Sequence, residues 1–450
     1  MKRNKLIVLI SLLVSFVFAF QNAISQGSLM LKAGAAKVDI TPSENLFMGG
    51  YDESCRSGPS DGIHGNIFIR ALVFDDNITM VAFVEADIVS LPHAEYATVR
   101  KLISDETGIP VQNIILGCTH NHAAPYPGEK NKNSDWSKDL YNKFVTAVKF
   151  AVSDLEPVKI GGGTGKSNIA MNRRKVMTDT FSHLTFDENN SSQSYGKHRT
   201  DEPVMIREMP GVTRLGNNPM GPIDDEVGVI RIDKISGEPK AVLVNYACHG
   251  TSLGCRNNKI SPEWNGHMLE YLENEIGGVT GIFIQGAAGD INLRFVGGLD
   301  GYEDDLEKTK ELGIEIGKEV ARVYSGIIPQ VLQSSLSVAH KDITCPRKYA
   351  AVVANFRNTT IDIPVTAVKI DQFVWITFPG ELFHEIGKNI KLMTHTQFPH
   401  IAGYCNGSLG YLPTQKSHSE GGYEPWSTPY DPVTEKIFLK GIEEMLPVLY

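Results

Sequence analysis

The sequence predicts an α/β protein, a layered mixed β-sheet flanked by helices. Three observations predict it. Short β-rich runs alternate with helical stretches along the chain, which is the pattern of stacked α/β layers. Four strand-like runs are apolar enough to be buried, and each ends in a cluster of polar residues. No internal repeat or low-complexity linker interrupts the alternation.

The first residues stand apart from the fold. Lys2, Arg3 and Lys5 precede an apolar run from Leu6 to Phe20, and Ala23-Ile24-Ser25 follows. Charged, then apolar, then small is the order of a secretory leader. Residues 1–25 are therefore expected to be a signal peptide, with a secreted or periplasmic destination. The alternative is an uncleaved N-terminal anchor. No Cys follows the apolar run, so a lipoprotein anchor is not expected. Residues 26–450 are expected to form one domain, with no stable membrane span after cleavage.

Ile67 to Phe74 and Thr79 to Glu85 read as strands around an Asp-Asp-Asn turn. Ala94 to Thr107 reads as a helix and Asn113 to Gly117 as a buried strand. Ser137 to Leu155 has apolar residues at helical spacing. Val227 to Ile232 and Ala241 to Tyr246 read as strands joined by Ser-Gly-Glu-Pro. Then come a helix from Trp264 to Ile276, a strand from Gly281 to Gln285 and a helix from Asp304 to Ser325. Phe373 to Phe378 reads as a strand and Glu381 to Met393 as a helix. Lys175 to Gly221 has no period. It reads as a long loop over the active face or as a mobile excursion.

The net charge of −9 argues against a nucleic-acid partner, which would want a basic face. Six cysteines in 450 residues do not make a disulfide scaffold. No C-x-x-C pair occurs, so a thiolate zinc finger is excluded on spacing. Cys248 and Cys255 are near enough in sequence to bridge, and buried free thiols are the alternative.

The polar clusters lie where strands end. His120 and His122 follow Ile114 to Gly117. His249 follows Val242 to Tyr246. Asp290 and Asn292 follow Ile282 to Gln285, and Glu381 follows Val374 to Phe378. The C-terminal edge of an open α/β sheet is where sites are built. A His-x-His pair on extended chain sends both imidazoles to one side, and zinc wants three or four such groups converging. Taken singly, His249 reads as a structural histidine, Glu381 as a carboxylate at a helix N-terminus, and Asp290 as a loop cap. Their joint placement at strand ends supports His120, His249 and Glu381 as a converging set. Gly161 to Ser167 looks like a phosphate loop, but Ile160 stands where the first glycine is needed. H-E-x-x-H is absent, which rules out the common zinc-peptidase helix.

These residues resemble the neutral/alkaline non-lysosomal ceramidase family. The likeness runs in order through Ala33 to Pro42, Met48-Gly49-Gly50-Tyr51, Gly62-Ile63-His64 with Arg70, and Phe83 to Asp87. It continues through Thr119-His120-Asn121-His122, His249-Gly250-Thr251-Ser252, Phe378 to Glu381, Asn406, Tyr411 and Tyr423-Glu424. The resemblance implies a zinc hydrolase cleaving an amide (N-acyl) bond, on ceramide or a related N-acyl lipid. It implies Zn2+ held by His120, His249, Glu381 and Tyr411, the last entering through the resemblance alone. His122 would be the acid/base beside the metal. Arg173 and Tyr423 would face the reacting carbonyl. Zinc lowers the pKa of bound water to about 7 and so supplies the nucleophile. In this reading zinc, Arg173 and Tyr423 would stabilise the oxyanion, and His122 would pass a proton to the leaving amine.

Two departures from the family pattern bear on the chemistry. Asn292 stands where the family has a serine sometimes proposed as nucleophile, and Arg294 brings a charge. An amide donates a hydrogen bond to an oxyanion but cannot attack, so zinc-activated water survives the change and a covalent serine route does not. The immunoglobulin-like domain of longer family members is also not expected. A second reading is a hydrolase of the same scaffold acting on a polar substrate, such as an acylated sugar, which Arg294 and Lys175 to Gly221 favour. A third is a binding protein without activity, which the retention of all four ligands and His122 opposes.

Overall fold

The computed structural model describes residues 30–53, 55–176, 213–295, 306–332, 336–348 and 359–450. The expected leader, 1–25, and residues 177–212 of the polar segment lie outside them.

The main sheet is mixed and has nine strands among the described residues. Its order is Thr280–Gln285, Pro239–Tyr246, Glu226–Lys234, Glu156–Lys166, Lys32–Asp39, Phe68–Asp75, Met80–Ala86 and Ile114–Cys118, with Gln330–Val331 beside Glu156–Lys166. Alternate side chains serve two faces. Ile69, Ala71 and Val73 face the helices His93–Thr107 and Asp135–Ser153. Val242 and Val244 face the helices Glu263–Ile276 and Leu306–Gly326.

The opposite face meets a second sheet, Leu336–Pro346, Thr360–Ile370, Phe373–Thr377 and Phe398–Ala402. Leu72, Phe74, Phe83, Leu243 and Ile284 pack there against Phe373, Trp375 and Phe398. The rings of Phe83 and Trp375 lie 5.0 Å apart. The helices His384–Met393 and Thr434–Met445 cover the far side of this sheet. The layers are therefore helix, sheet, sheet, helix. The mixed sheet flanked by helices is present, and the sheet-on-sheet core is an addition to the expectation.

The glycine run from Gly161 to Gly165 is a strand of the main sheet, not a phosphate loop. A Cβ on Gly162 would come within 2.6 Å of Phe373, and one on Gly161 within 2.6 Å of Ile327. These glycines let the second sheet and the last helical turn approach the backbone. The described ends of the expected loop, Ala170–Val176 and Thr213–Asn218, pair as antiparallel strands.

Three parallel pairs position the site. Met80–Ala86 runs with Ile114–Cys118, Pro239–Tyr246 with Thr280–Gln285, and Phe373–Thr377 with Phe398–Ala402. Parallel partners end on the same edge, so six strand ends deliver loops to one place. No helix among the described residues is long and apolar enough to cross a membrane.

Candidate metal centre

His120 and His122 follow Ile114–Cys118, but the chain between them is not extended. His120 adopts φ +59°, the left-handed region that is costly for a residue with a Cβ. The backbone is held there on both sides. His122 N–H donates to the Gly250 carbonyl at 2.9 Å. A Cβ on Gly250 would come 2.8 Å from the His120 oxygen, so only glycine allows that approach. The turn brings the His120 and His122 Nε2 atoms within 3.0 Å.

His249 closes the cluster, and the three imidazoles each offer a ligand atom within 4.8 Å of the others. Their supports differ. His120 Nδ1 donates to the Val89 carbonyl at 2.9 Å, and His249 Nδ1 donates to the Ile291 carbonyl at 2.9 Å. A carbonyl only accepts, so both protons sit on Nδ1 and both Nε2 lone pairs face inward. His122 Nδ1 is buried with no partner. Burial pushes His120 down to about 3, and it holds His122 and His249 well below the ordinary value. All three rings are neutral at physiological pH.

Glu381 reaches the same point. Its Oε2 lies 3.1 Å from His249 Nε2 and 3.6 Å from His120 Nε2. Glu381 and Leu382 form a short strand, and the helix begins only at His384. Asp290 occupies the helix N-terminus instead, accepting the His384 N–H at 2.9 Å and His384 Nδ1 at 2.7 Å. Two unprotonated imidazole nitrogens and a carboxylate oxygen thus converge, with Arg173 Nη1 3.0 Å from His249 Nε2 and His122 Nε2 3.0 Å from His120 Nε2. Such a donor set fits a divalent cation of the zinc type, and the Val89 and Ile291 carbonyls fit the supporting role that ligand histidines require.

Glu381–Leu382 pairs in parallel with Tyr411–Leu412, which sets Tyr411 beside Glu381. Burial and the Glu381 carboxylate hold the Tyr411 hydroxyl well above its ordinary value. Arg173 lies 5.4 Å from the Tyr411 ring centre. Its Nη1 donates to His249 Nε2 at 3.0 Å and to Asn292 Oδ1 at 3.3 Å, and its Nη2 donates to the Gly289 carbonyl at 2.7 Å. Burial opposes the Arg173 charge, but Tyr411, Glu424 and Glu381 outweigh it and hold the pKa well above ordinary. Tyr423 opens a short helix and meets Tyr411 edge-on, with centroids 5.3 Å apart.

All eight sequence-predicted residues therefore meet in one place. Seven of them line one cavity of about 520 Å3, and His249 sits just behind the wall. Arg294 does not line it. Its guanidinium is taken up by Asn168 Oδ1 at 2.7 Å and Glu315 Oε2 at 2.6 Å on the exposed side, where the charge keeps its solvent. Cys255 bridges Cys55, not Cys248, and joins two cavity-wall loops. Cys248 is a buried free thiol because it still points into the core at the end of its strand.

Three residues of the site escaped the sequence reading. Tyr404 lies against His120 with ring centres 4.2 Å apart, at φ +59°. Tyr51 meets His122 edge-on at 5.0 Å. Glu424 is buried and binds Arg173 Nε at 2.8 Å and Arg174 Nη1 at 2.9 Å. Tyr404 is a single tyrosine without a local pattern, and Tyr51 is legible only as the end of Met48-Gly49-Gly50-Tyr51, with no role attached. Glu424 is legible only as the neighbour of Tyr423.

A family model described as neutral/alkaline non-lysosomal ceramidase, N-terminal, matches residues 31–297. Neutral ceramidase B of Dictyostelium discoideum is 25% identical over 295 residues. That match covers 61% of this chain and 38% of the relative, so the chain spans well under half of that protein. The crystal structure of neutral ceramidase from Pseudomonas aeruginosa matches with a TM-score of 0.70 at 16% identity, over 93% of this chain and 74% of that one. A ceramidase complexed with C2 matches with a TM-score of 0.72 at 17% identity, over 93% and 75%. The folds agree at this level. With the family match over more than half of its length, the chain belongs to the neutral/alkaline non-lysosomal ceramidase family.

Proposed function

We propose that the protein is a zinc-dependent amidase that hydrolyses an N-acyl bond, on ceramide or a related N-acyl lipid. One observation carries the reading: the convergence of His120 Nε2, His249 Nε2 and Glu381 Oε2, with both histidine protons tied to backbone carbonyls. Tyr411 is the fourth ligand in this reading. A zinc ion held there supplies Lewis acidity and activated water at neutral pH.

The chain's own residues do the rest. Arg173, fixed by Glu424 and the Gly289 carbonyl, presents positive charge where the carbonyl oxygen gains its charge. Tyr423 offers a hydroxyl from the other wall of the cavity. The Asn292 carbonyl faces Arg173, which leaves its amide N–H groups as donors. His122 carries the proton to the leaving amine. Its Nε2 lies 3.0 Å from His120 Nε2 and its Nδ1 has no partner, so no backbone carbonyl ties its ring as those of the two ligand histidines are tied, and it can give up and regain a proton at Nε2.

The relatives' names supply ceramide as the reference substrate. A polar, acylated-sugar substrate is the second reading, and the tyrosine-lined cavity favours it. We also propose export through the N-terminal leader.

The test combines metal analysis with fatty-acid release from N-acyl substrates. Stoichiometric zinc and chelator-sensitive release are expected. Protein that turns over an amide at full rate after chelation, or that binds no divalent metal, would sink the reading.

A further inference from the structure

We infer that Arg56 is a positioning residue for the reaction, which sets His122 for its proton transfer from a loop that holds no ligand of the metal centre; this rests on the amidase reading above. Arg56 is 5% exposed and is not on the wall of the metal cavity. It acts through the backbone. Its Nη1 donates to the His122 carbonyl at 2.7 Å and to the Gly49 carbonyl at 3.2 Å, and its Nη2 donates to the Gly254 carbonyl at 3.0 Å. The three carbonyls belong to three loops far apart in sequence. A charged donor makes stronger hydrogen bonds than a neutral one, and a buried guanidinium needs them to offset its lost water.

The His122 ring depends on this arrangement. His120 and His249 are tied through Nδ1 to backbone carbonyls, whereas His122 Nδ1 has no partner. Packing orients the ring instead. A Cβ on Gly50 would come 2.2 Å from His122 Nδ1, so the Gly50 backbone, at φ +91°, lies directly against the ring. Tyr51 meets the ring edge-on with centres 5.0 Å apart, and the Arg56 guanidinium lies 4.9 Å from the Tyr51 ring centre. Gly50 and Tyr51 are thus the seat of the ring. One nitrogen, Nη1, joins the seat to the residue seated: it holds the carbonyl of Gly49, beside Gly50, and the carbonyl of His122 itself. A proton donor works only within hydrogen-bond reach of its target, so a ring that drifts from its seat loses rate.

Chain continuity adds a second tie between the same loops. Cys55 precedes Arg56, Cys255 follows Gly254, and the two cysteines are bridged across 200 residues of sequence. Disulfide and guanidinium lie side by side in the chain on both loops. Lysine cannot do the work of Arg56. The planar fork spans several carbonyls, whereas an ammonium is a point charge on a flexible stem.

The test is a double-mutant cycle on zinc-loaded full-length protein, with N-octanoyl-sphingosine as substrate and released octanoate measured by mass spectrometry. Arg56→Met should lower kcat by about 10²-fold, the cost of a misplacement of about 1 Å, with KM and bound zinc unchanged. Arg56→Lys keeps the charge and should recover part of the loss, and it carries the cycle if Arg56→Met does not fold. In the His122→Ala background either change should cost less than about twofold further, because residues that act as one unit do not lose their effects independently. Losses that multiply in the double variant would mark general structural damage and overturn the inference. Full activity in Arg56→Met, or a loss that falls on KM or on zinc, overturns it as well. The amidase reading survives each of those results. Wild type that yields no octanoate overturns both.

Discussion

Glu381 and Tyr411 stand side by side as the first pair of a two-residue parallel ladder. Thirty residues of chain separate them, and main-chain hydrogen bonds tie their loops: Glu381 N–H donates to the Gly410 carbonyl at 2.9 Å. The fourth proposed ligand is thus fixed to the third by backbone geometry. Tyr411→Phe keeps the ring and the ladder and is expected to weaken zinc. The loss should be at least the roughly 10- to 100-fold that removing a mere supporting partner costs. Glu381→Gln removes the anionic ligand and should weaken zinc further. Titration with a competing zinc indicator measures both. Equal affinity in wild type and Tyr411→Phe excludes Tyr411 from the ligand set.

His122 and His249 differ in how they are held, and their alanine variants should differ accordingly. His249→Ala is expected to lose the metal. His122→Ala should keep it and lose about 10²- to 10⁴-fold in kcat, the range for one acid/base group. Metal content and turnover on the same preparations check the pair. Loss of metal from His122→Ala would make it a third histidine ligand.

Glu424 binds two buried guanidinium groups. Glu424→Gln takes the carboxylate from Arg173 and leaves Arg174 with Glu420 alone, 3.3 Å from its Nη2, and stability should fall by about 3–5 kcal/mol, the usual cost of breaking a buried pair. Urea denaturation reads the loss. A midpoint unchanged within error would mean that Arg173 and Arg174 find other partners.

Acid sensitivity has a source away from the metal. His400 lies in the second sheet beside Trp375, with both ring nitrogens buried and unpartnered. Burial, aided by Lys391, pushes its pKa down to about 3. The folded value is below the ordinary value of about 6.5. Between those two pH values the unfolded chain takes up a proton that the folded chain refuses, so stability rises with pH through the window and is lost as pH falls. His400→Leu removes this titration and should flatten the acid limb of the stability profile between pH 4 and 6.5. Denaturation midpoints across that range test it, and an unchanged slope would assign the acid limb to other groups.

Much of the fold was legible because burial writes a period into the sequence. Phe68–Asp75, Met80–Ala86, Ile114–Cys118, Pro239–Tyr246 and Thr280–Gln285 are apolar runs of strand length, and they lie within a residue or two of their expected places. Glu156–Lys166 was not legible, because its glycines look like a loop until Phe373 and Ile327 are seen against them. Leu336–Pro346 and Thr360–Ile370 were missed as well. They form a second sheet whose partner face lies far away in sequence.

By itself the sequence determined which strand ends carry clustered polar groups. His120, His249, Asp290 and Glu381 each follow a buried strand, and a buried strand can expose polar groups only where it stops. Tertiary structure alone decided how those groups share work. It gave the helix N-terminus to Asp290, which released Glu381 to face the two histidines. It drew Arg294 out of the site to Glu315 and brought Tyr51, Tyr404 and Thr251 to the wall. Such choices depend on which partners arrive at a point through space. A chain whose site is assembled from six strand ends carries no local signal of that meeting.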